Sequence, residues 1–160
     1  MKKILFNPIG IVHSPFKIPK GVPIQSSAGK NFEATVEIYP EYVEGLKDLE
    51  GFSHIILLYH LHLIKQSKLK VIPFMDNVLR GVFSTRAPSR PNPIGLSIVE
   101  LQKIENNILH IKDVDIVNGT PLLDIKPFVP EFDARENTRI GWLANRKKDL
   151  FLTRDDERFV

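Results

Sequence analysis

The stretch from Leu96 to Phe128, LSIVELQKIENNILHIKDVDIVNGTPLLDIKPF, decides the fold. Apolar and polar residues alternate over 96–104 and again over 108–117, which predicts two strands that each bury one face. Glu105-Asn106-Asn107 lies between them, and asparagine tolerates the left-handed backbone of a tight hairpin turn. A second turn signal follows at Asn118-Gly119-Thr120-Pro121. The stretch therefore predicts consecutive antiparallel strands without an intervening helix.

The rest of the chain repeats this pattern of short strands between prolines and glycines. Its 160 residues include 12 prolines and nine glycines, which divide it into short segments. One clear helix is predicted over 41–49, directly after Pro40, since proline is tolerated at the first helical position. Further strands are predicted over 4–14, 32–39, 52–63, 78–85 and 122–128. We therefore predict an all-β, mainly antiparallel fold: a small closed or partly open β-barrel with one short helix and an irregular C-terminal tail.

The length suits a single domain with a substantial core. We expect the barrel over residues 1–130 and a charged tail over 131–160, packed on or near the barrel, with one helical turn over 142–148. The apolar N-terminus is interrupted by Asn7, Pro8 and His13, so it predicts a first strand rather than a signal peptide. No apolar stretch is long enough to cross a bilayer, so no membrane association is predicted.

Cysteine is absent from the sequence. This excludes a disulfide scaffold, a thiolate zinc site and a cysteine nucleophile. It also fits a reducing compartment, and we predict a cytoplasmic protein.

Positive charge is concentrated in the middle of the chain. The formal net charge is only +3, but between Gly51 and Val99 six basic residues face a single acid, Asp76. Such a distribution predicts an anionic partner, for example a phosphate backbone. For the three lysines of this stretch a simple solvated face is the better interpretation, whereas the three arginines stand among glycines and prolines.

Two of those arginines lie in the segment with the most chemical content, 86–95, RAPSRPNPIG. Its three prolines fix the backbone, so Arg86, Arg90 and Asn92 are held in place before any ligand binds. An arginine fork suits a phosphate or a carboxylate. The alternative is a rigid connection whose arginines pair with neighbouring acids, but the segment itself contains none.

Other site signatures are weak or absent. There is no Walker loop, no GxGxxG after a strand and no GxSxG, so a nucleotide site would not be of the Rossmann kind and a serine hydrolase has little support. His60 and His62 are two apart on a predicted strand and would face one side, but no third ligand is evident, so no metal is predicted. Asp124 and Lys126 are also predicted to share a face, as a simple ion pair or as part of a site.

Two motifs together resemble a known family. FSTRAPSRPNPIGLS over 83–97, followed by DIVNGTPLLDIKPF over 115–128, resembles the TsaA-like family. These are tRNA methyltransferases that act on N6-threonylcarbamoyladenosine beside the anticodon. IGIVHSPF over 9–16, Pro23-Ile24-Gln25 and LEGFSH over 49–54 fit the same family, so the resemblance covers residues 7–129 in order.

The resemblance implies a β-barrel that binds S-adenosylmethionine, forms a homodimer with the site near the interface, and methylates the exocyclic nitrogen of the modified base in the anticodon loop of tRNA. The cofactor contacts that it implies are Pro23, Ile24, Gln25, His62, Leu63, Arg86, Leu96, Asp113, Val114, Asp115 and Ile116. Arg90, Asn92 and Lys126 match motif positions and are candidates for substrate binding. Asp124 and Asp113 are the candidate catalytic bases.

Two departures from the family pattern bear on binding. Ile24 stands where many members have arginine, so one charged contact is missing or supplied elsewhere. Longer members have a further C-terminal domain, and here phosphate contacts would fall to the tail residues Arg135, Arg139, Arg146, Lys147 and Lys148. The alternatives are a non-catalytic barrel that binds S-adenosylmethionine or RNA, and a methyltransferase for another small substrate. A metal-dependent hydrolase is the remotest of them.

Overall fold

Six strands close into a β-barrel in the computed structural model, which describes residues 3–146 and 152–160. The order around the barrel is β1-β2-β7-β6-β3-β8, and β8 pairs with β1 to complete it. Every neighbouring pair is antiparallel. The barrel strands are β1 Gly10–His13, β2 Glu33–Ile38, β3 His54–His60, β6 Ile94–Glu105, β7 Ile108–Lys112 and β8 Thr120–Pro127. The predicted all-β class is confirmed.

The core fills the barrel interior with alternate residues of the strands. Ile55 and Leu57 of β3, Val99 of β6, and Leu109 and Ile111 of β7 are all fully buried. Side chains alternate between the two faces of a strand, so the intervening residues point outward. In β3, which falls within the strand predicted over 52–63, only the inward face is fully buried.

The hairpin that joins β6 to β7 forms where the sequence predicts it. Glu105 pairs with Ile108, which leaves Asn106 and Asn107 as the two turn residues. Asn106 adopts a φ of 56°. Asparagine is one of the few residues that reach this region at low cost, which fixes the register of the pair.

Two predicted elements differ from the structure. The helix over 41–49 is a 3-10 helix, Pro40–Leu46, with a second short one at Leu49–Gly51. Asp48 lies between them with a φ of 66°, which prevents a continuous helix. The N-terminal strand is shorter than predicted, since only Gly10–His13 pairs with β2 and only its first three residues pair with β8 as well.

The excursion between β3 and β6 carries a small sheet of its own, β4 Lys70–Val71 and β5 Arg80–Gly81. The strand predicted over 78–85 ends early, and Val82–Ser84 forms a 3-10 helix instead. The reason is local: the Val82 carbonyl accepts hydrogen bonds from the Thr85 hydroxyl and from the Arg90 guanidinium, so it is not available to a sheet.

The C-terminal segments pack against this excursion. After the short helix α1, Pro130–Asp133, comes a 3-10 helix, Gly141–Asn145, which overlaps the predicted helical turn. Residues 147 and 148 of that turn lie outside the described residues. Further along, Arg154 forms a β-bridge with Pro23. Among the described residues, no helix has the length and apolar character needed to span a membrane.

Candidate functional site

A cavity of about 960 Å³ lies where the barrel, the excursion and the tail meet. The barrel contributes Tyr59 and Thr120, the excursion contributes Phe83, and the tail contributes Trp142 and Phe159. Its volume is at the upper end of the range for a small-molecule site, about 300–1,000 Å³. Nine of the eleven predicted cofactor contacts line it: Pro23, Ile24, Gln25, His62, Leu63, Arg86, Leu96, Asp115 and Ile116.

A buried hydrogen-bond chain ends on Asp115 in the cavity wall. The Ser97 hydroxyl donates to Asp115 Oδ1 at 2.5 Å, and the Tyr59 hydroxyl lies 2.9 Å from Ser97 Oγ. Because the Ser97 proton is committed to the carboxylate, Tyr59 is the donor of the second bond. These two hydrogen bonds fix the orientation of the Asp115 carboxyl group. Neither Tyr59 nor Ser97 is predicted by a local pattern, because their meeting depends on the pairing of β3 with β6.

Burial has the largest effect on the pKa values of Asp115 and Tyr59. Removal from water raises the pKa of Asp115 to about 6, although the Ser97 hydrogen bond and the charge of Arg86 both act to lower it. Burial, together with the negative charge of Asp115, also raises the pKa of Tyr59 well above its usual range. At neutral pH Asp115 is therefore mainly a carboxylate, and Tyr59 remains a protonated donor.

Replacing Asp115 with asparagine should make the stability of the protein less dependent on pH. A carboxyl whose pKa rises on folding binds more protons in the folded state, so the free energy of unfolding falls as pH rises from about 4 to about 6. The fall approaches 3 kcal/mol at most, from 1.36 kcal/mol per pKa unit. Denaturant titrations should give the free energy of unfolding of Asp115→Asn and of the parent at pH 4 and at pH 7. The difference between variant and parent should shift in favour of the variant at pH 7. An equal difference at both pH values would contradict the raised pKa.

Arg86 brings a cation to the same cavity. Its Nη1 donates to Gln25 Oε1 at 2.7 Å, and its charge is close enough to Asp115 to lower the pKa of that carboxyl. Arg86 is exposed to solvent. Arg86 therefore joins the excursion to the 23–25 segment and still has guanidinium donors for a ligand.

Arg90 has a structural task that the sequence did not predict. Its Nη1 donates to the carbonyl oxygens of Val82, Thr85 and Ala87 at 3.1, 2.8 and 3.3 Å. These hydrogen bonds therefore stabilise the turn on which Arg86 lies. Arg90 does line the cavity, and substrate binding by it stays a prediction. Asn92 is exposed and does not line the cavity.

The two candidate catalytic bases lie outside the cavity lining of a single chain. Lys126 Nζ contacts Asp124 Oδ2 at 2.8 Å, so these two residues form the ion pair that their spacing allowed, with both side chains largely exposed. Asp113 has a φ of 66° and accepts a hydrogen bond from the Asn31 amide at 2.9 Å. Val114 is fully buried in the core. The roles assigned to these residues stay predictions.

The paired histidines separate at the end of β3. The strand ends at His60, and His62 turns toward the cavity, with its Nδ1 3.5 Å from Thr120 Oγ1. Burial, with a contribution from His60, lowers the pKa of His62, so it is neutral at pH 7. The part of the chain that the structure describes contains no group of three or more residues able to hold a metal ion.

Together the lining favours a ligand that carries both signs of charge and hydroxyl groups. Arg86 suits a carboxylate, while the oriented carboxylate of Asp115 suits hydroxyl or amine donors. Leu61, Leu63 and Ile116 supply apolar surface beside them. S-adenosylmethionine has this combination of a carboxylate, an ammonium group, a ribose and an apolar base face, so the residues present fit it.

Comparison with known proteins points the same way. The model of the tRNA-methyltransferase O N-terminal domain matches residues 11–134. A probable S-adenosyl-L-methionine-binding protein of Pyrococcus abyssi is 62% identical over 156 residues, which cover 98% of this chain and 85% of that protein. The human tRNA (adenine(37)-N6)-methyltransferase is 36% identical over 144 residues, which cover 84% of this chain but 32% of that enzyme.

A solved structure agrees in fold as well as sequence. The crystal structure of TrmO from Pseudomonas aeruginosa superposes with a TM-score of 0.74 at 36% identity, covering 88% of this chain and 63% of that chain. This chain thus spans about a third of the human enzyme and less than two thirds of the bacterial one. The chain belongs to the family of the tRNA-methyltransferase O N-terminal domain, the one that its sequence resembled.

Proposed function

We propose that the chain binds S-adenosylmethionine in the cavity and transfers its methyl group to the N6 atom of adenosine 37 in tRNA. The observation that carries the proposal is the half-buried Asp115 carboxylate, oriented by Ser97, in the same cavity as Arg86. Taking a carboxylate out of water is costly unless donors hold it, and such groups are concentrated at functional sites. The bound cofactor would supply an already activated methyl group, so the demands on the protein are positioning and selection.

Three lining residues would have a part in that positioning. Asp115, with its rotamer fixed by Ser97 and Tyr59, would accept hydrogen bonds from the ribose hydroxyls or the ammonium group. Arg86 would pair with the carboxylate of the cofactor. His62 is neutral and adds no positive charge to a cavity that would hold a cation. Aligning donor and acceptor at reacting distance can contribute about 7–11 kcal/mol to lowering the barrier.

The finer identity of the substrate belongs to the proposal as well. We take the acceptor to be N6-threonylcarbamoyladenosine next to the anticodon, whose exocyclic nitrogen lies between a purine and a carbonyl. Its proton is therefore more acidic than that of an ordinary amine. Asp124 and Asp113 remain the candidate bases, with Lys126 and Asn92 beside the substrate. Since none of the four lines the cavity of one chain, their involvement requires the homodimer that we also propose.

The basic middle of the chain supports a nucleic-acid substrate. The stretch from Gly51 to Val99 contributes both the arginines of the site and three lysines on the excursion, Lys65, Lys68 and Lys70. Phosphate contacts of this kind hold RNA without reading its sequence. A tRNA-modifying protein is expected in the cytoplasm, and we propose that location.

Nucleoside mass spectrometry of tRNA from a deletion strain tests the proposed function. We expect loss of the N6-methylated form of the threonylcarbamoyl nucleoside and accumulation of its unmethylated precursor. An unchanged nucleoside profile would refute the assignment. If the purified chain binds the cofactor yet modifies no tRNA, the non-catalytic barrel that binds S-adenosylmethionine is the better account.

A further inference from the structure

Phe83 is a large apolar side chain left open in the wall of the cavity. It is 74% exposed, whereas its neighbour Val82 is 1% exposed and belongs to the small core of the excursion. Leaving an aromatic ring in water has a free-energy cost that burial would recover. Phe83 also lines the cavity with Arg86, so its exposure coincides with the candidate site.

The turn that carries Phe83 is held in place without help from the ring. The Thr85 hydroxyl donates to the Val82 carbonyl at 2.8 Å and accepts from the Ala87 amide at 3.2 Å. Arg90 donates to the Val82 and Thr85 carbonyls in addition. Phe83 is thus presented on a preorganised backbone, which lowers the entropy lost when a ligand packs against the ring.

The surroundings of the ring are those of a base-stacking platform. The Arg90 guanidinium carbon lies over the ring at 5.9 Å from its centroid, and most of the Phe83 side chain is still open to solvent. A cation beside an aromatic ring, in a stretch with a single acid, suits a flat, electron-rich group attached to an anionic backbone. Unstacked RNA bases are recognised on aromatic faces in this way.

We propose that Phe83 positions the acceptor by stacking on a nucleobase that tRNA extrudes into the cavity. The inference rests on the proposed function and adds to it a residue that selects the substrate rather than the cofactor. Enzymes that modify a base reach it in a single strand or after extruding it from the stack, so an open aromatic ring beside the site suits an acceptor base that has left its stack. Phe83 is a positioning residue in this account, and Arg86 and Asp115 hold the cofactor.

The experiment compares Phe83→Ala with Phe83→Tyr and Phe83→Leu. Steady-state methylation of unmethylated tRNA and direct binding of an anticodon stem-loop RNA are measured, together with S-adenosylmethionine affinity by calorimetry. Loss of one stacked base should raise KM and the RNA dissociation constant roughly 5- to 150-fold in Phe83→Ala. Phe83→Tyr should stay close to the parent, and Phe83→Leu should resemble Phe83→Ala, since stacking needs a ring. The affinity for S-adenosylmethionine should not change.

Phe132→Ala is the matched control, because Phe132 is 71% exposed and does not line the cavity. Unchanged KM and RNA binding in Phe83→Ala, with an active parent protein, would overturn the inference and leave the proposed function intact. Weaker cofactor binding would show that the ring holds the cofactor, and a change in oligomeric state would assign it to an interface between subunits. Either result overturns the inference. A parent protein that neither methylates nor binds RNA would remove both the inference and the proposed function.

Discussion

Replacing Arg86 with alanine should lower methyl transfer to tRNA by roughly 10- to 150-fold at limiting cofactor while the barrel remains folded. Loss of a hydrogen bond to a charged group costs about 1.5–3 kcal/mol of binding, which corresponds to a factor of this order. Arg86 is the cation that faces Asp115 and is joined to the 23–25 segment through Gln25 at 2.7 Å. Its side chain is exposed and makes no part of the core, so its removal should cost little stability.

Initial rates with saturating tRNA and a series of cofactor concentrations check this prediction. The defect should appear mainly as weaker cofactor binding. Arg86→Lys should recover only part of the activity, because lysine keeps the charge but loses the planar fork. Thermal denaturation close to that of the parent is the control for folding. Normal turnover in a correctly folded Arg86→Ala protein would contradict the place given to this residue.

Replacing Gly95 with alanine should both destabilise the barrel and disrupt the site. A Cβ at Gly95 would lie 2.1 Å from Cε2 of Tyr59 and 2.5 Å from its Cζ. Tyr59 is buried and pairs directly with Gly95 across β3 and β6, so its ring, which lines the cavity, would have to shift away from the added Cβ. Overpacking of this kind costs about 1–3 kcal/mol, and displacement of the ring would break its bond to Ser97.

Gly51→Ala is the matched control for this substitution, because an added Cβ there meets no atom within 4 Å. Denaturant unfolding and calorimetric cofactor binding should show a large loss for Gly95→Ala and almost none for Gly51→Ala. The double variant Gly95→Ala with Tyr59→Ala should regain part of the stability that strain removed, since the clashing ring is gone. Strictly additive effects of the two substitutions would show that the ring and the glycine do not interact.

Local patterns predicted much of the barrel. The hairpin at Asn106 and Asn107 follows from two adjacent turn residues, and the inward faces of β6 and β7 follow from alternation. These features depend on neighbours in sequence, which is the information that periodicity and turn chemistry contain.

Features that depend on tertiary contacts were not predictable in this way. The chain from Tyr59 through Ser97 to Asp115 forms only because three segments distant in sequence meet at the cavity. Arg90 was predicted to bind a ligand, and in the structure its guanidinium donates hydrogen bonds to three carbonyl oxygens of its own loop. The sequence predicted a tail packed on or near the barrel, but it did not predict that tail residues reach the site. In the structure Trp142 and Phe159 line the cavity.

We propose that this chain, as a homodimer, binds the cofactor and methylates modified adenosine in tRNA. The most direct measurement incubates the purified chain with S-adenosylmethionine labelled in its methyl group and with tRNA from cells that lack the methylation. Digestion and mass spectrometry then locate the label. We predict label on N6 of the threonylcarbamoyl nucleoside, and none when that nucleoside is absent from the tRNA. Cofactor binding without any labelled nucleoside, or label at another position, would contradict the account.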